Sequence, residues 1–145
     1  MYSHILIATD GSELAGKAVM TGVSLAKLCG AKVTIVTVSE PWTSMVIGDG
    51  SALSFPVEDY EKVANENAGR ILTAAADVAK AQGVSCATVH ATDTPAEGII
   101  ATAKSSGCDV IVMSSHGRRG IARVLLGSQA MSVLTMSTVP VLICR

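Results

Sequence analysis

Residues 109–117 read DVIVMSSHG, in which four apolar residues are followed at once by small polar residues and a glycine. The apolar run is too short for a helix and shows no alternation of apolar and polar positions. It therefore predicts a strand over residues 110–114 that is covered on both faces. Such strands are typical of parallel sheets flanked by helices, so the stretch favours the α/β class with a polar loop at the carboxyl end of the strand.

Four more apolar runs of strand length lie along the chain, and helix-like segments separate them. A chain in which strands alternate with helices is typical of a parallel α/β sheet. We therefore expect a five-stranded parallel sheet with helices on both faces. The predicted strands are residues 4–9, 32–38, 85–91, 110–114 and 139–144.

Cap residues predict where the first two helices begin and end. Ser12 can cap the first helix, and Gly30 can end it. A long second helix is expected over about residues 57–82, because apolar side chains recur along one side and Gly83 follows them.

The third helix has the clearest local signal in the chain. Thr94 as the cap, Pro95 at the first helical position and Glu97 three residues after the cap predict a capping box. This helix should fade by residues 105–107. A fourth helix should begin near residues 127–128 and end before residue 139.

Residues 41–56 differ from the rest because they carry several glycines and serines without periodicity. They predict a long insertion after the second strand. No repeat, low-complexity tail or linker divides the chain. We therefore expect one domain over residues 1–145.

The composition limits the possible partners. Of the 145 residues, 49% are hydrophobic and 16% are charged, which suits a packed core and excludes a disordered chain. The net charge is −1 and no basic run is longer than Arg118-Arg119, so nucleic acid is not an expected partner. No stretch has the length of a membrane span or the pattern of a signal peptide. The four cysteines have neither metal-ligand nor disulfide spacing, which indicates a reducing cytoplasm.

The loop after the 110–114 strand has the features of a phosphate site. Gly117, Gly120 and Gly127 lie in it, and Ser128 follows at the expected start of a helix. Glycine lets backbone N–H groups approach an anion, and a helix N-terminus adds free donors. The P-loop, dinucleotide and hydrolase signatures are all absent. These residues predict a phosphate cradle without naming its ligand.

Several segments together resemble the universal stress protein family over the whole length of the chain. They are HILIATDGS at 4–12, VTV at 36–38, DVIVM at 109–113, HGR at 116–118, LLGS at 125–128 and VPVLI at 139–143. Each is weak alone, but the combination is specific. The resemblance implies a Rossmann-like α/β fold with the sheet order 3-2-1-4-5, and a dimer that forms through the last strand.

Many members of this family bind ATP with the pattern G-x-x-G-x₉-G-[ST]. In this chain Gly117 matches the second glycine and Gly127-Ser128 matches the closing pair, but Ser114 stands at the first glycine position. The hydroxyl of Ser114 either clashes with the ribose or hydrogen-bonds to it. By this resemblance, Ala8, Thr9, Asp10 and the backbone of Val38 would hold the nucleoside, Met113 and Ser114 would lie beside the ribose, and Gly117, Gly127, Ser128 and Gln129 would hold the phosphates.

Two titratable side chains near this loop leave alternatives open. Asp10 either contacts the nucleotide or a metal-bound phosphate, or it shapes the turn before the first helix, where Ser12 also offers a cap. His116 either faces a phosphate, and so counts among the binding residues, or covers the turn with a backbone hydrogen bond. No catalytic set is recognised, because no nucleophile or carboxylate is placed with His116. Arg118 is expected on a solvated charged face.

The expected function is that of a small cytoplasmic protein with a regulatory role in the stress response. It would bind an adenine nucleotide, ATP alone or with Mg²⁺. The alternatives are a nucleotide-free dimer that acts through protein contacts and a slow ATP hydrolase. Apolar residues flank Pro140 in a run expected at a sheet edge, which favours a homodimer through this strand. The sequence does not identify any other protein partner.

Overall fold

The chain folds around a five-stranded parallel sheet. The computed structural model describes residues 1–45, 56–118 and 125–145. In chain order the elements are β1 (His4–Ala8), α1 (Glu13–Cys29), β2 (Lys32–Ser39), α2 (Trp42–Met45), α3 (Val57–Ala81), β3 (Cys86–Thr92), α4 (Pro95–Ser106), β4 (Val110–Ser114), α5 (Ser128–Met136) and β5 (Val141–Cys144). The strand order is β3-β2-β1-β4-β5, which confirms the predicted fold class and order.

Helices cover both faces of the sheet and create two apolar layers. Successive side chains of a strand point to opposite faces. In the central strand β1, Ile5 and Ile7 therefore pack with α1 and α3, whereas Leu6 and Ala8 pack with α4 and α5. All five residues of β1 are buried, as expected for a strand covered on both faces. None of the helices in the described ranges is long and apolar enough to cross a membrane.

Local residues set most of the helix ends. The Ser12 hydroxyl accepts a hydrogen bond from the Ala15 N–H, and Gly30 ends α1 with a left-handed φ of 66°. The predicted start of α4 is confirmed, but the predicted capping box is wrong. Thr94 makes no side-chain cap bond, and its own N–H donates to the Asp93 carboxylate at 2.7 Å, a bond that replaces the one expected from Glu97.

The last strand and the predicted insertion differ most from prediction, whereas the other strands differ by at most one residue at either end. The last strand is shorter than predicted because Pro140 has no N–H to donate, although its carbonyl accepts the N–H of Ile111 at 2.9 Å. The predicted insertion begins as the short helix α2. The rest of that insertion, residues 46–55, lies outside the described residues, as do residues 119–124.

The winding of the sheet changes direction at β1. The chain first moves outward from β1 to β2 and β3, and it then returns to add β4 and β5 on the other side. In open α/β sheets, the crevice at the carboxyl ends of the strands beside such a switch is the usual ligand site. The loops that follow β1 and β4 are therefore the first place to look for function.

Candidate functional site

The loop after β1 and the loop after β4 are joined through Asp10. Its Oδ1 accepts the N–H of Ser12 at 2.9 Å, and its Oδ2 accepts the N–H of Arg118 at 2.7 Å. The Arg118 guanidinium in turn donates to the carbonyl oxygen of Asp10 at 2.9 Å. Asp10 therefore does shape the turn before α1, one of the two predicted alternatives. It also ties that turn to a residue 108 positions away.

The environment of Asp10 favours its charged form. Partial burial alone would raise the pKa of this carboxyl group. Hydrogen bonds from Ser12 and from the Arg118 backbone, together with the Arg118 charge, outweigh burial and lower the pKa below its ordinary value. The sequence indicated Arg118 as part of a solvated charged face. Its side chain is exposed, but it is also bonded to the site.

Gly11 allows the turn after Asp10 to pack closely against the Arg118 side chain. Its φ is +80°, a conformation that side-chain-bearing residues rarely adopt. A Cβ added at Gly11 would lie 2.8 Å from Cγ1 of Ile71 in α3 and 3.1 Å from a guanidinium nitrogen of Arg118. Helix α3 thus closes the turn from one side, a contact that no local sequence signal indicated.

The two motif glycines are needed for contacts within the chain. A Cβ on Gly117 would lie 2.9 Å from Oδ2 of Asp10, and a Cβ on Gly127 would lie 2.8 Å from the Ser115 carbonyl oxygen. Neither glycine has a positive φ. The chain's own oxygen atoms occupy the space that a Cβ would take, so glycine is required here by packing within the chain.

The Gly127 N–H is also not a free donor. It donates to the Ser115 carbonyl at 2.8 Å and is therefore already bonded within the chain. The backbone N–H groups that have no partner within the helix begin one residue later, in the first turn of α5. The first amide bonded back to the helix start is that of Met131, which donates to the Gly127 carbonyl at 3.0 Å. Among the described residues, no side chain caps α5, and Ser128 and Gln129 are exposed.

The Ser114 hydroxyl has a partner within the chain. Its hydroxyl donates to the His116 carbonyl at 2.8 Å, and the residue is 8% exposed. The Ser115 N–H donates to the carbonyl of Cys144 in β5 at 2.7 Å. The Ser115 hydroxyl lies 3.0 Å from Nδ1 of His116. This bond joins two side chains, so it differs from the backbone hydrogen bond of the predicted turn-covering role.

The remaining predicted residues lie at the same edge of the sheet but differ in what they can offer. The side chains of Ala8, Met113 and Val38 pack into the apolar layer under α4 and α5, where Val38 contacts Gly98. Ala8 and Met113 are buried, whereas Val38 is partly exposed. Thr9 is buried, its N–H donates to the Val36 carbonyl at 3.0 Å, and its hydroxyl accepts the Gly11 N–H at 3.2 Å.

Metal-ligating side chains and thiols are scattered over the described residues. No three His, Cys, Asp or Glu side chains within residues 1–45, 56–118 and 125–145 are close enough to hold a metal ion. The four cysteines are free thiols. Burial, with the neighbouring Asp109 charge, raises the pKa of the Cys108 thiol to about 11. That thiol is therefore protonated at neutral pH.

Comparison with known proteins places this geometry in a family. The sequence profile of the Universal stress protein family matches residues 1–145. The chain belongs to the universal stress protein family. It is 32% identical over 148 residues to universal stress protein YxiE of Bacillus subtilis, with all of both chains covered.

Solved structures of similar proteins agree with the fold. Protein MJ0577 of Methanocaldococcus jannaschii, whose biochemical function was assigned from its structure, has a TM-score of 0.82 and 27% identity. That match covers 99% of this chain and 96% of MJ0577. A universal stress protein solved in complex with cAMP has a TM-score of 0.70 and 26% identity, over 98% of this chain and 95% of the other.

Proposed function

We propose that this chain binds an adenine nucleotide, ATP first among them and alone or with Mg²⁺, and that occupancy regulates its contacts with a protein partner in a cytoplasmic stress response. The observation that carries the proposal is the meeting of three parts at the switch point of the sheet. These are the Asp10 turn, the 114–118 loop and the uncapped start of α5. A similar protein bound to cAMP supports the same ligand class.

The phosphates would bind at the first turn of α5. Free N–H groups and the helix dipole favour negative charge there, and the exposed Ser128 and Gln129 add polar side chains. The nucleoside would lie against the backbone at Ala8 and Val38 and against Asp10. Met113 and Ser114 would lie beside the ribose. His116, Gly117 and Gly127 would shape the loop between these two parts.

A homodimer through β5 belongs to the same proposal. In the described structure β5 pairs only with β4, so its outer edge has unpaired backbone groups. Leu142 is 39% exposed on this strand and lines an open groove together with Met20 and Leu28 of α1. An exposed apolar edge of this kind favours pairing with a second chain.

Opposite charges at Gln129 test the nucleotide site. Gln129→Glu places a negative charge where the phosphates would lie, and should weaken ATP binding about tenfold. Gln129→Lys should strengthen it. Isothermal titration of the parent and both variants with ATP, with and without Mg²⁺, measures these changes.

Unfolding temperatures supply the control for that experiment. A carboxylate near a helix N-terminus stabilises the helix. Gln129→Glu should therefore raise the unfolding temperature slightly while it lowers the affinity for ATP. The two variants should differ far less in their affinity for adenosine, which has no phosphate, than in their affinity for ATP. Equal ATP affinity in the two variants, or no binding by the parent at millimolar ATP, contradicts the proposed function.

A further inference from the structure

Ser114 occupies the place of the first glycine in the nucleotide motif, and its side chain is bonded within the chain. We infer that Ser114 is a positioning residue that holds the 114–118 loop in the shape required for the nucleotide, so that this chain binds its ligand with a serine where the motif has glycine. This inference rests on the proposed function. It explains how a serine at the first glycine position is compatible with binding and helps to hold the loop.

The backbone at this position does not require glycine. In the described chain, the only residues with positive φ are the glycines at positions 11, 30, 83 and 107. Ser114 is the last residue of β4 and pairs with Cys144 of β5 in a regular parallel register. A serine is therefore accommodated without strain.

The hydroxyl of Ser114 has a partner inside the loop. It donates to the His116 carbonyl two residues further on at 2.8 Å, and the residue is almost fully buried. Removing the hydroxyl would leave this partly buried carbonyl without its side-chain donor. The loss of that hydrogen bond costs free energy. A hydroxyl that is bonded in this way is directed at the loop, so it does not need a ribose oxygen as a partner.

The loop that Ser114 helps to hold links every part of the proposed site. The next residue, Ser115, donates its N–H to Cys144 of β5, and its carbonyl accepts the N–H of Gly127 at the start of α5. At the far end of the loop, Arg118 is bonded to Asp10. The loop is thus fixed at its start by β5 and α5 and at its end by the turn after β1. The Ser114 bond keeps the chain between these two anchors in one conformation.

A preorganised loop loses less freedom when a ligand binds. Ser114→Gly restores the family motif but removes the hydrogen bond and adds backbone freedom in the unliganded protein. We therefore expect it to weaken ATP binding about threefold to tenfold, and Ser114→Ala to do so by a smaller factor. Ser114→Thr retains a hydroxyl and should stay within about twofold of the parent, since Thr can donate the same bond.

The experiment measures ATP affinity and unfolding temperature for the parent, Ser114→Gly, Ser114→Ala and Ser114→Thr. Ser105→Ala is the matched control. It removes an exposed serine hydroxyl, which donates to the Thr102 carbonyl in α4 far from the site. A purely structural role for Ser114 would lower the unfolding temperature of Ser114→Gly and Ser114→Ala without changing their ATP affinity. A positioning role changes the ATP affinity of the Ser114 variants alone, and threonine restores it.

Each result decides between the inference and the proposed function. If the parent binds ATP and Ser114→Gly binds it equally well or more tightly, the inference is overturned and the proposed function stands. If only Ser114→Gly binds ATP, the serine is an obstruction, and both statements fail for the natural chain. If neither protein binds any adenine nucleotide, the proposed function fails first and the inference falls with it.

Discussion

Asp10 acts at the scale of a single residue, since one carboxylate accepts N–H groups from both loops of the candidate site. The sequence left two roles open for it, and the structure shows the turn-shaping role directly. Its bond to Arg118 could not be predicted from local sequence, because the two residues meet only when β1 and β4 pair. Ser114 and the glycines at 117 and 127 show the same limit. Their motif was visible, but the atoms that they contact were not.

The lowered pKa of Asp10 predicts how stability depends on pH. The native pKa lies below the unfolded value of about 3.9, so the charged carboxylate favours folding. This contribution is complete above the unfolded pKa and is lost as the pH falls through the native pKa. Asp10→Asn should therefore be less stable than the parent at pH 7, and the difference should narrow below about pH 4.

Thermal unfolding from pH 7 to pH 3 measures this difference. Asp77→Asn, which removes an exposed carboxylate from α3, controls for the change in net charge. A difference between the Asp10 variant and the parent that stays constant down to pH 3 would show that the charged form of Asp10 does not stabilise the fold.

At the scale of the element, local residues predicted the helices better than the strand ends. Ser12 and Gly30 bound α1 as expected, since a cap and a left-handed glycine act within one turn. The capping box at Thr94 failed because Asp93, one residue earlier, supplies the acceptor instead. The bounds of β5 depend on its pairing with β4, and pairing partners are not encoded in the strand itself.

Two glycines of α1 provide a matched test of how that helix packs. A Cβ on Gly22 would lie 2.6 Å from Cδ1 of Ile7, which is fully buried in the centre of the sheet. Gly22→Ala should destabilise the fold by about 1–3 kcal/mol, because the core has no room for the methyl group. A Cβ on Gly16 meets nothing within 4 Å. Gly16→Ala should stabilise the fold by about 0.5–1 kcal/mol, because alanine favours helix.

Urea unfolding of both variants checks the α1 packing. The two free-energy changes should have opposite signs at positions six residues apart in one helix. A Gly22→Ala protein as stable as the parent would mean that α1 does not lie against Ile7 as described.

At the scale of the whole molecule, the α/β class followed from the strands and helices, whereas the strand order came from the family resemblance. Periodicity and caps do not specify which strand lies beside which. The position of the site followed from the order, because the switch point at β1 brings the ends of β1 and β4 together. The outer edge of β5 is the other consequence of that order.

If the proposed homodimer forms through β5, a charge placed on this strand should disrupt it. The parent should have twice the mass of one chain in light scattering at tens of micromolar. Leu142→Lys places a charge on the exposed edge and should shift the protein towards the monomer. Val63→Lys, at a residue of α3 that is 58% exposed, is the control and should leave the mass unchanged. A parent that is monomeric at this concentration would contradict the dimer.

We propose that an adenine nucleotide binds where the Asp10 turn, the 114–118 loop and the start of α5 meet. Titration of ¹⁵N-labelled protein with ATP, followed by amide chemical shifts, tests it most directly. We expect the largest saturable shifts at Asp10, Gly117, Ser128 and Gln129, and little change at the amino ends of the strands, near Lys32 and Cys108. Saturable shifts centred on those amino ends, or no shifts at millimolar ATP, would contradict nucleotide binding at this site.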